Sequence, residues 1–391
     1  MARTDVPEGG GFSLGYRPQL DGIRAVAVVA VMLFHASIGF NERGKLLPGG
    51  YLGVDVFFAL SGFLITTILA QEWLRRRHID FGAFYARRAL RLLPAIVLVV
   101  VVVLVLAQVV LTADAAHFAR RQSLWTLFYG QNWHAVISPA AFPGYLDHAW
   151  SLSVEEQFYV LWPLVLWGVL SLRRSVNTTL VIVLAGASVS AIAMAVIGES
   201  DPLHAFYGTD ARVQTLLLGA ALGLAAVFGR LPTGEQRWTA RAGWVGAGAL
   251  VVAFVTYDNT STFNTRGGLT LVAIAATALV FGVVCAPHTL LGRMLGSPVP
   301  VAVGRISYGL YLWHYPVFLA FTRDDTGLTV WATGLSFWPL LAVRLVLTFA
   351  LAAASFAIVE RPFLRIKRRF ERLAEQPGAA VVLAPGMTVP Q

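Results

Sequence analysis

A single cysteine, Cys285, among 391 residues excludes an intrachain disulfide, a cysteine metal cluster and a disulfide-stapled extracellular domain. Set in an apolar run, it reads as a small packing residue. Charge is also scarce: Asp, Glu, Lys and Arg make up 13% of the chain, where a soluble protein carries about 25%. Neither a Gly-rich phosphate loop nor metal-ligand His/Cys spacing occurs, so no metal and no permanently bound cofactor are expected. No short apolar run ending in a small-residue cleavage site precedes Asp21, so no removable signal peptide is expected. Apolar residues, by contrast, are plentiful: they are 57% of the chain, the mean hydropathy is +0.67, and they come in repeated runs of about 20. Runs of that length match the ~30 Å hydrocarbon core of a bilayer. The chain therefore reads as an all-α polytopic membrane protein.

The pattern predicts a bundle of about ten transmembrane helices, near 21–40, 50–72, 94–112, 150–170, 178–198, 211–229, 242–257, 268–287, 299–322 and 337–360. Alternating the connections from a cytoplasmic N-terminus places 20 basic residues inside and 7 outside, with Arg24, Arg305 and Arg344 within spans and Arg212 among the outer seven. That asymmetry predicts that both termini are cytoplasmic. It also explains the net charge of +9 without nucleic acid, because the basic residues gather on alternate connections rather than in one stripe. The division is a short N-terminal segment (1–20), a membrane domain (21–363) and a basic, then disordered, cytoplasmic tail (364–391). The aromatic-rich 113–149 connection is expected to lie as an amphipathic stretch at the outer interface.

Polar residues within apolar runs are costly and read as functional. Arg24 and His35 share one helix face in GIRAVAVVAVMLFHASIGF and lie roughly 16 Å apart along the axis. Alternatively, Arg24 snorkels to the interface and His35 is a satisfied core histidine; Asp21, three residues from Arg24, can pair with it. In HAWSLSVEEQFYVLWP, His148, Ser151, Glu155 and Tyr159 form one helical stripe, with Glu156 turned away by about 100°; Trp150 and Ser153 flank it. Adjacent desolvated carboxylates suit proton handling or the orientation of an imidazole. The other reading is a helix start that favours acidic residues. Ser307, Tyr311 and His314 form a third stripe, readable equally as a pocket wall or as aromatic packing. Asp55 lies deep enough in GGYLGVDVFFALSGFLITT to require a partner, either His35 or an arginine. Arg88 and Arg91, three apart in FYARRALRLLP, can grip phosphates by bidentate bonds or serve topology and anionic lipid.

Six stretches, LDGIRAVAVVAVMLFHA, GGYLGVDVFFALSGFLIT, FYARRALRLLP, HAWSLSVEEQFYVLWP, ISYGLYLWHYP and VERPF, resemble in order the acyltransferase 3 family of integral-membrane O-acyltransferases. The resemblance implies transfer of an acyl group (acetyl, succinyl or similar) from cytoplasmic acyl-coenzyme A to a hydroxyl. The acceptor would be an envelope glycan or glycolipid, or else a macrolide or other secondary metabolite. It implies that His35 is a general base or transient acyl carrier, with Glu155, Glu156 or Asp55 supporting it. Arg88, Arg91 and Arg24 would hold the donor's phosphates, and His148, Trp150, Ser151, Ser153, Tyr311 and His314 would contact substrate. Membrane lipids are the remaining partners. Some members carry an added esterase-like domain; none is seen here, which would leave any second transfer to another protein. The rival from another class is a proton-coupled transporter, against which the absence of inverted repeats counts.

Overall fold

The computed structural model describes residues 14–38, 46–110, 112–138, 144–172, 174–232, 234–323 and 329–366. The tail expected to be disordered falls, past Ile366, outside the described residues, as do Arg43 and Lys45. The described residues are almost entirely helical. Eight segments are long and apolar enough to span a membrane, in keeping with a multi-pass membrane protein. They are built on α1 (Pro18–His35), α2 (Gly53–Arg76), α3 (Phe81–Val110), α7 (Val176–Ser200), α8 with α9 (Pro202–Tyr207, Thr209–Val227), α10 (Arg237–Thr256), α11 (Leu269–Cys285) and α15 (Phe337–Ser355). Between α3 and α7 come α4 (Ala113–Leu127), α5 (Gln131–Ile137) and α6 (Trp150–Ser171); α12 (Leu290–Leu295), α13 (Pro298–Arg305) and α14 (Ser307–Ala320) precede α15. A two-residue parallel pair, Phe321–Thr322 with Trp331–Ala332, is the only sheet among the described residues.

Two expected spans depart from uniform apolar helices. The span expected at 150–170 falls on α6, a 22-residue helix that is not among the eight, because Glu155, Glu156 and Gln157 lower its hydropathy. The span at 299–322 is broken at Ile306, whose backbone leaves helical geometry (φ −103°, ψ 10°), giving pieces of 8 and 14 residues. The third span begins well ahead of its expected start: α3 runs 30 residues, with Arg88, Arg91 and Pro94 all inside it.

The 113–149 connection folds as two helices against the bundle. Gln122, Ser123 and Thr126 of α4 and Gln131, Asn132 and His134 of α5 are buried, while Asp114, His117, Arg120 and Arg121 are exposed beside Leu124, Phe128 and Ile137. An outer face that mixes charged and apolar side chains is compatible with the interfacial position expected of it. The two helices form a hairpin docked on α6 and α9. The Gln131 N–H donates to Ser153 Oγ at 3.1 Å, and Gln157 Nε2 donates to the Tyr129 carbonyl at 2.8 Å and to Asn132 Oδ1 at 3.0 Å. Asn132 Nδ2 donates to Thr209 Oγ1 at 2.9 Å, and Thr209 closes the ring onto Gln157. Irregular backbone within a bundle is tolerated where neighbours satisfy its polar groups in this way.

Glycine permits the closest helix crossings. A Cβ on Gly62 of α2 would collide with the Leu216 carbonyl, and one on Gly219 of α9 with the Ala59 carbonyl, so these backbones meet directly. Beside that crossing, Asp55 pairs with Arg212 at 3.0 Å, both fully buried. Arg212 therefore belongs to the bundle interior and not to the outer loops, and it is the arginine partner that Asp55 required.

Candidate functional site

Two cavities lie side by side in the bundle, with Val54 and Tyr311 in the lining of both. The larger, about 260 Å³, is lined by Arg17, Arg24, Arg88, Arg91, Ser61, Ser151, Glu155, Glu156 and Tyr159, with Tyr129 from the hairpin tip and Tyr308 from α14. Arg24 Nη1 lies 2.9 Å from Asp21 Oδ1, as the helical spacing predicts. The Arg88 guanidinium stacks 3.5 Å over the Tyr159 ring and lies 3.8 Å from Glu156. Glu155 accepts from Ser61 Oγ at 2.6 Å. Arg91 has no carboxylate within ion-pair distance among the described residues. It is therefore the cation in this wall most available to an incoming anion. Both glutamates lie among the arginines rather than beside His35, and Tyr129 holds its place in the left-handed region at φ +53°, rare for a residue with a side chain.

The smaller cavity, about 130 Å³, is lined by His35, His148, Asp147, Trp150, Tyr207 and Tyr315 among others. Two histidines from separate elements line it, and a third, His314, lies behind them with ring centroids 5.2 Å from His35 and 5.3 Å from His148. His314 Nδ1 lies 2.6 Å from the Tyr311 carbonyl and 3.2 Å from that of Leu310. Carbonyls only accept, so His314 carries its proton on Nδ1 and presents a bare Nε2. That nitrogen lies 3.2 Å from His35 Nδ1, which must then be the protonated one. Nε2 of His35 is left with its lone pair, the state a base or nucleophile requires. His148 stacks on Tyr315 with ring centroids 5.0 Å apart, and neither of its ring nitrogens has a hydrogen-bond partner among the described residues.

The ends of the helices bearing these histidines are fastened by Arg344 of α15. Its Nη1 and Nη2 donate to the carbonyls of Ala36 and Ile38, just past His35, at 3.0 and 2.8 Å. Its Nε and Nη2 also donate to Phe321 and Phe318, past His314, at 2.7 and 2.8 Å. One planar guanidinium thus satisfies carbonyls that two helix C-termini leave open. Sequence reasoning placed Arg344 in a span without a role; a buried intramembrane arginine was the available signal.

Most of the expected residues converge. His35, His148 and Trp150 line the smaller cavity, and Arg24, Arg88, Arg91, Ser151, Glu155 and Glu156 line the larger. Tyr311 lines both, and His314 backs His35. Two stand apart. The Asp55 carboxylate is taken by Arg212 and Thr215 and lines neither cavity. Ser153 donates to the Ala149 carbonyl and anchors the hairpin. Ser61, Tyr129, Arg212 and Tyr315 were not singled out in the sequence. No group of three His, Cys, Asp or Glu side chains among the described residues is placed to hold a metal ion.

A model of the acyltransferase 3 family, described as an acyltransferase domain, matches residues 17–358. YrhL of Bacillus subtilis, provisionally described as a peptidoglycan O-acetyltransferase, is 33% identical over 89% of the chain and 55% of its own length. The peptidoglycan O-acetyltransferase OatA of Listeria monocytogenes is 31% identical over 90% of the chain and 56% of its own length. The O-acetyltransferase OatA of Staphylococcus aureus is 29% identical over 94% and 60%. The chain thus spans little more than half the length of these relatives. No solved structure matches it.

Proposed function

Because the chain belongs to the acyltransferase 3 family, we propose that it passes a short acyl group from a cytoplasmic acyl-coenzyme A to a hydroxyl of an envelope glycan. The observation that carries this reading is an arginine-lined cavity that shares two wall residues with a pocket holding His35. In this scheme Arg91 and Arg88, with Arg24, receive the donor's phosphates, and the acyl thioester reaches toward His35. Acting as general base, His35 Nε2 takes the proton of the acceptor hydroxyl as its oxygen attacks the thioester carbon. The C–S bond breaks, the thiolate leaves, and the proton passes from the imidazolium to it. In the covalent variant His35 Nε2 itself attacks, giving an acyl-imidazole that the acceptor then cleaves. His314 is a positioning residue in both, because it fixes the tautomer of His35. Asp55 is moved out of the catalytic set into the framework.

The names of the relatives favour a glycan acceptor over a macrolide, and membership of an acyltransferase family disfavours the transporter. The test uses the full chain in nanodiscs with radiolabelled acetyl-coenzyme A and N-acetylglucosamine oligomers as acceptor. The expected result is label on the oligomer or release of free thiol, abolished in His35→Ala. Thiol release undiminished in a folded His35→Ala protein overturns the scheme.

A further inference from the structure

Among the described residues, Val54 and Tyr311 are the two that line both cavities, so they stand between the arginines and His35. Both are held. The Tyr311 hydroxyl donates to the His148 carbonyl at 2.9 Å and accepts from Ser151 Oγ at 2.6 Å. Its ring lies against His148 and His314, with centroids 5.5 and 5.4 Å away. Val54 is at the start of α2, where Gly50 and Gly53 bring the backbone against the Ala30 and Ala27 carbonyls with no room for a Cβ. A valine in a helix has one strongly preferred rotamer, so this side of the opening does not yield. Beyond it the chamber measures about 130 Å³. An apolar cavity of ~150 Å³ takes one benzene molecule, so about six heavy atoms fill this chamber, and the acceptor hydroxyl must share it.

We propose that Val54 and Tyr311 form a size filter that restricts the transferred acyl group to short chains, of about two to four carbons. This rests on reading the arginine-lined cavity as the acyl thioester's site. The filter acts by sterics: a longer chain either stops in the larger cavity or crowds the acceptor away from His35.

Thiol release is measured for the full chain in nanodiscs with N-acetylglucosamine oligomers, using acetyl-, propionyl-, butyryl-, hexanoyl- and octanoyl-coenzyme A. The unaltered chain falls at least tenfold in kcat/KM between butyryl and octanoyl. Val54→Ala removes two methyl-sized groups from the opening and raises hexanoyl relative to acetyl by about fourfold per methylene accommodated, the worth of one buried CH₂. Val54→Ile narrows the opening and lowers butyryl relative to acetyl, which keeps the test open if the alanine variant does not fold. Arg91→Ala lowers every donor in proportion and leaves the chain-length profile unchanged. Activity with the same profile in both Val54 variants as in the unaltered chain overturns the filter while the acyl-transfer reading stands. No thiol release from any acyl-coenzyme A by the unaltered chain overturns that reading, and the filter falls with it.

Discussion

Replacing His314 by leucine removes the side-chain acceptor that holds the Nδ1–H of His35, and little else at the pocket wall. His314 is fully buried, and its Nε2 is 3.2 Å from His35. Without it, the imidazole of His35 falls back on the Val31 carbonyl one turn earlier, or shifts its proton to Nε2 and loses the lone pair that chemistry needs. A lost hydrogen bond costs about 0.5–1.5 kcal/mol net, and 1.36 kcal/mol is tenfold in rate. His314→Leu is therefore expected to lower kcat by about 2- to 13-fold. KM for the donor is expected to hold within about twofold, because Arg88 and Arg91 lie in the other cavity. His314→Gln, whose side-chain carbonyl can accept from His35, recovers part of the loss. Steady-state thiol release across pH 6–9 checks this, alongside thermal unfolding to confirm that each variant folds. A folded His314→Leu protein with unchanged kcat and pH profile, in a background where His35→Ala is inactive, refutes the tautomer argument.

Arg91→Ala is expected to raise KM for acetyl-coenzyme A by about 10- to 100-fold, the worth of a hydrogen bond to a charged group, more than Arg88→Ala, whose cation is already shared with Glu156; kinetics on both variants decides the order. Arg212→Met strands the Asp55 carboxylate inside the bundle, and breaking a buried pair in this way costs about 3–5 kcal/mol; thermal unfolding in detergent reads the loss, which the double change Asp55→Leu with Arg212→Met reverses in part. Outside the spanning segments, burial pushes the Asp147 carboxyl well above the usual carboxylate range, against the opposing pull of its bonds from Gly144 and Gln122. The folded state then keeps that proton to higher pH than the unfolded chain does. Its stabilising contribution is full below the ordinary carboxylate pKa and is lost as pH rises through the raised value. Asp147→Asn flattens that decline, and parallel unfolding curves for both proteins across pH would count against the shift.

The long apolar helices, and which faces carry chemistry, were legible in the chain because both follow from periodicity. The Arg24–His35 face, the Ser151–Glu155–Tyr159 stripe and the Arg88/Arg91 pair each land in a cavity wall. What periodicity does not contain is the partner. The same stripe that puts Glu155 on the pocket side of α6 cannot say that Ser61 and three arginines await it there, so it was read as serving the imidazole. Asp55 needed a cation, but the cation came from a helix start 157 residues away, which loop counting had assigned to the outer surface. The hairpin's docking was hidden for a related reason. The amphipathic pattern of 113–149 marks a polar face but does not say that Ser153, Gln157 and Thr209 receive it. The histidine relay depends on backbone carbonyls, which carry no sequence signal at all.

The hairpin also imposes an order of assembly. Its inner face carries Gln122, Ser123, Thr126, Gln131, Asn132 and His134, too polar to enter hydrocarbon unaided. The groups that receive it, Gln157 and Thr209, are synthesised after it. The segment therefore docks only after α6 and α9 are in place, and only then does Tyr129 enter the wall of the larger cavity. A nascent chain halted before Thr209 has made Arg24, Arg88 and Arg91 but not the residue that closes the Gln157–Asn132 ring. That wall is complete only once the middle of the sequence has caught up with its beginning.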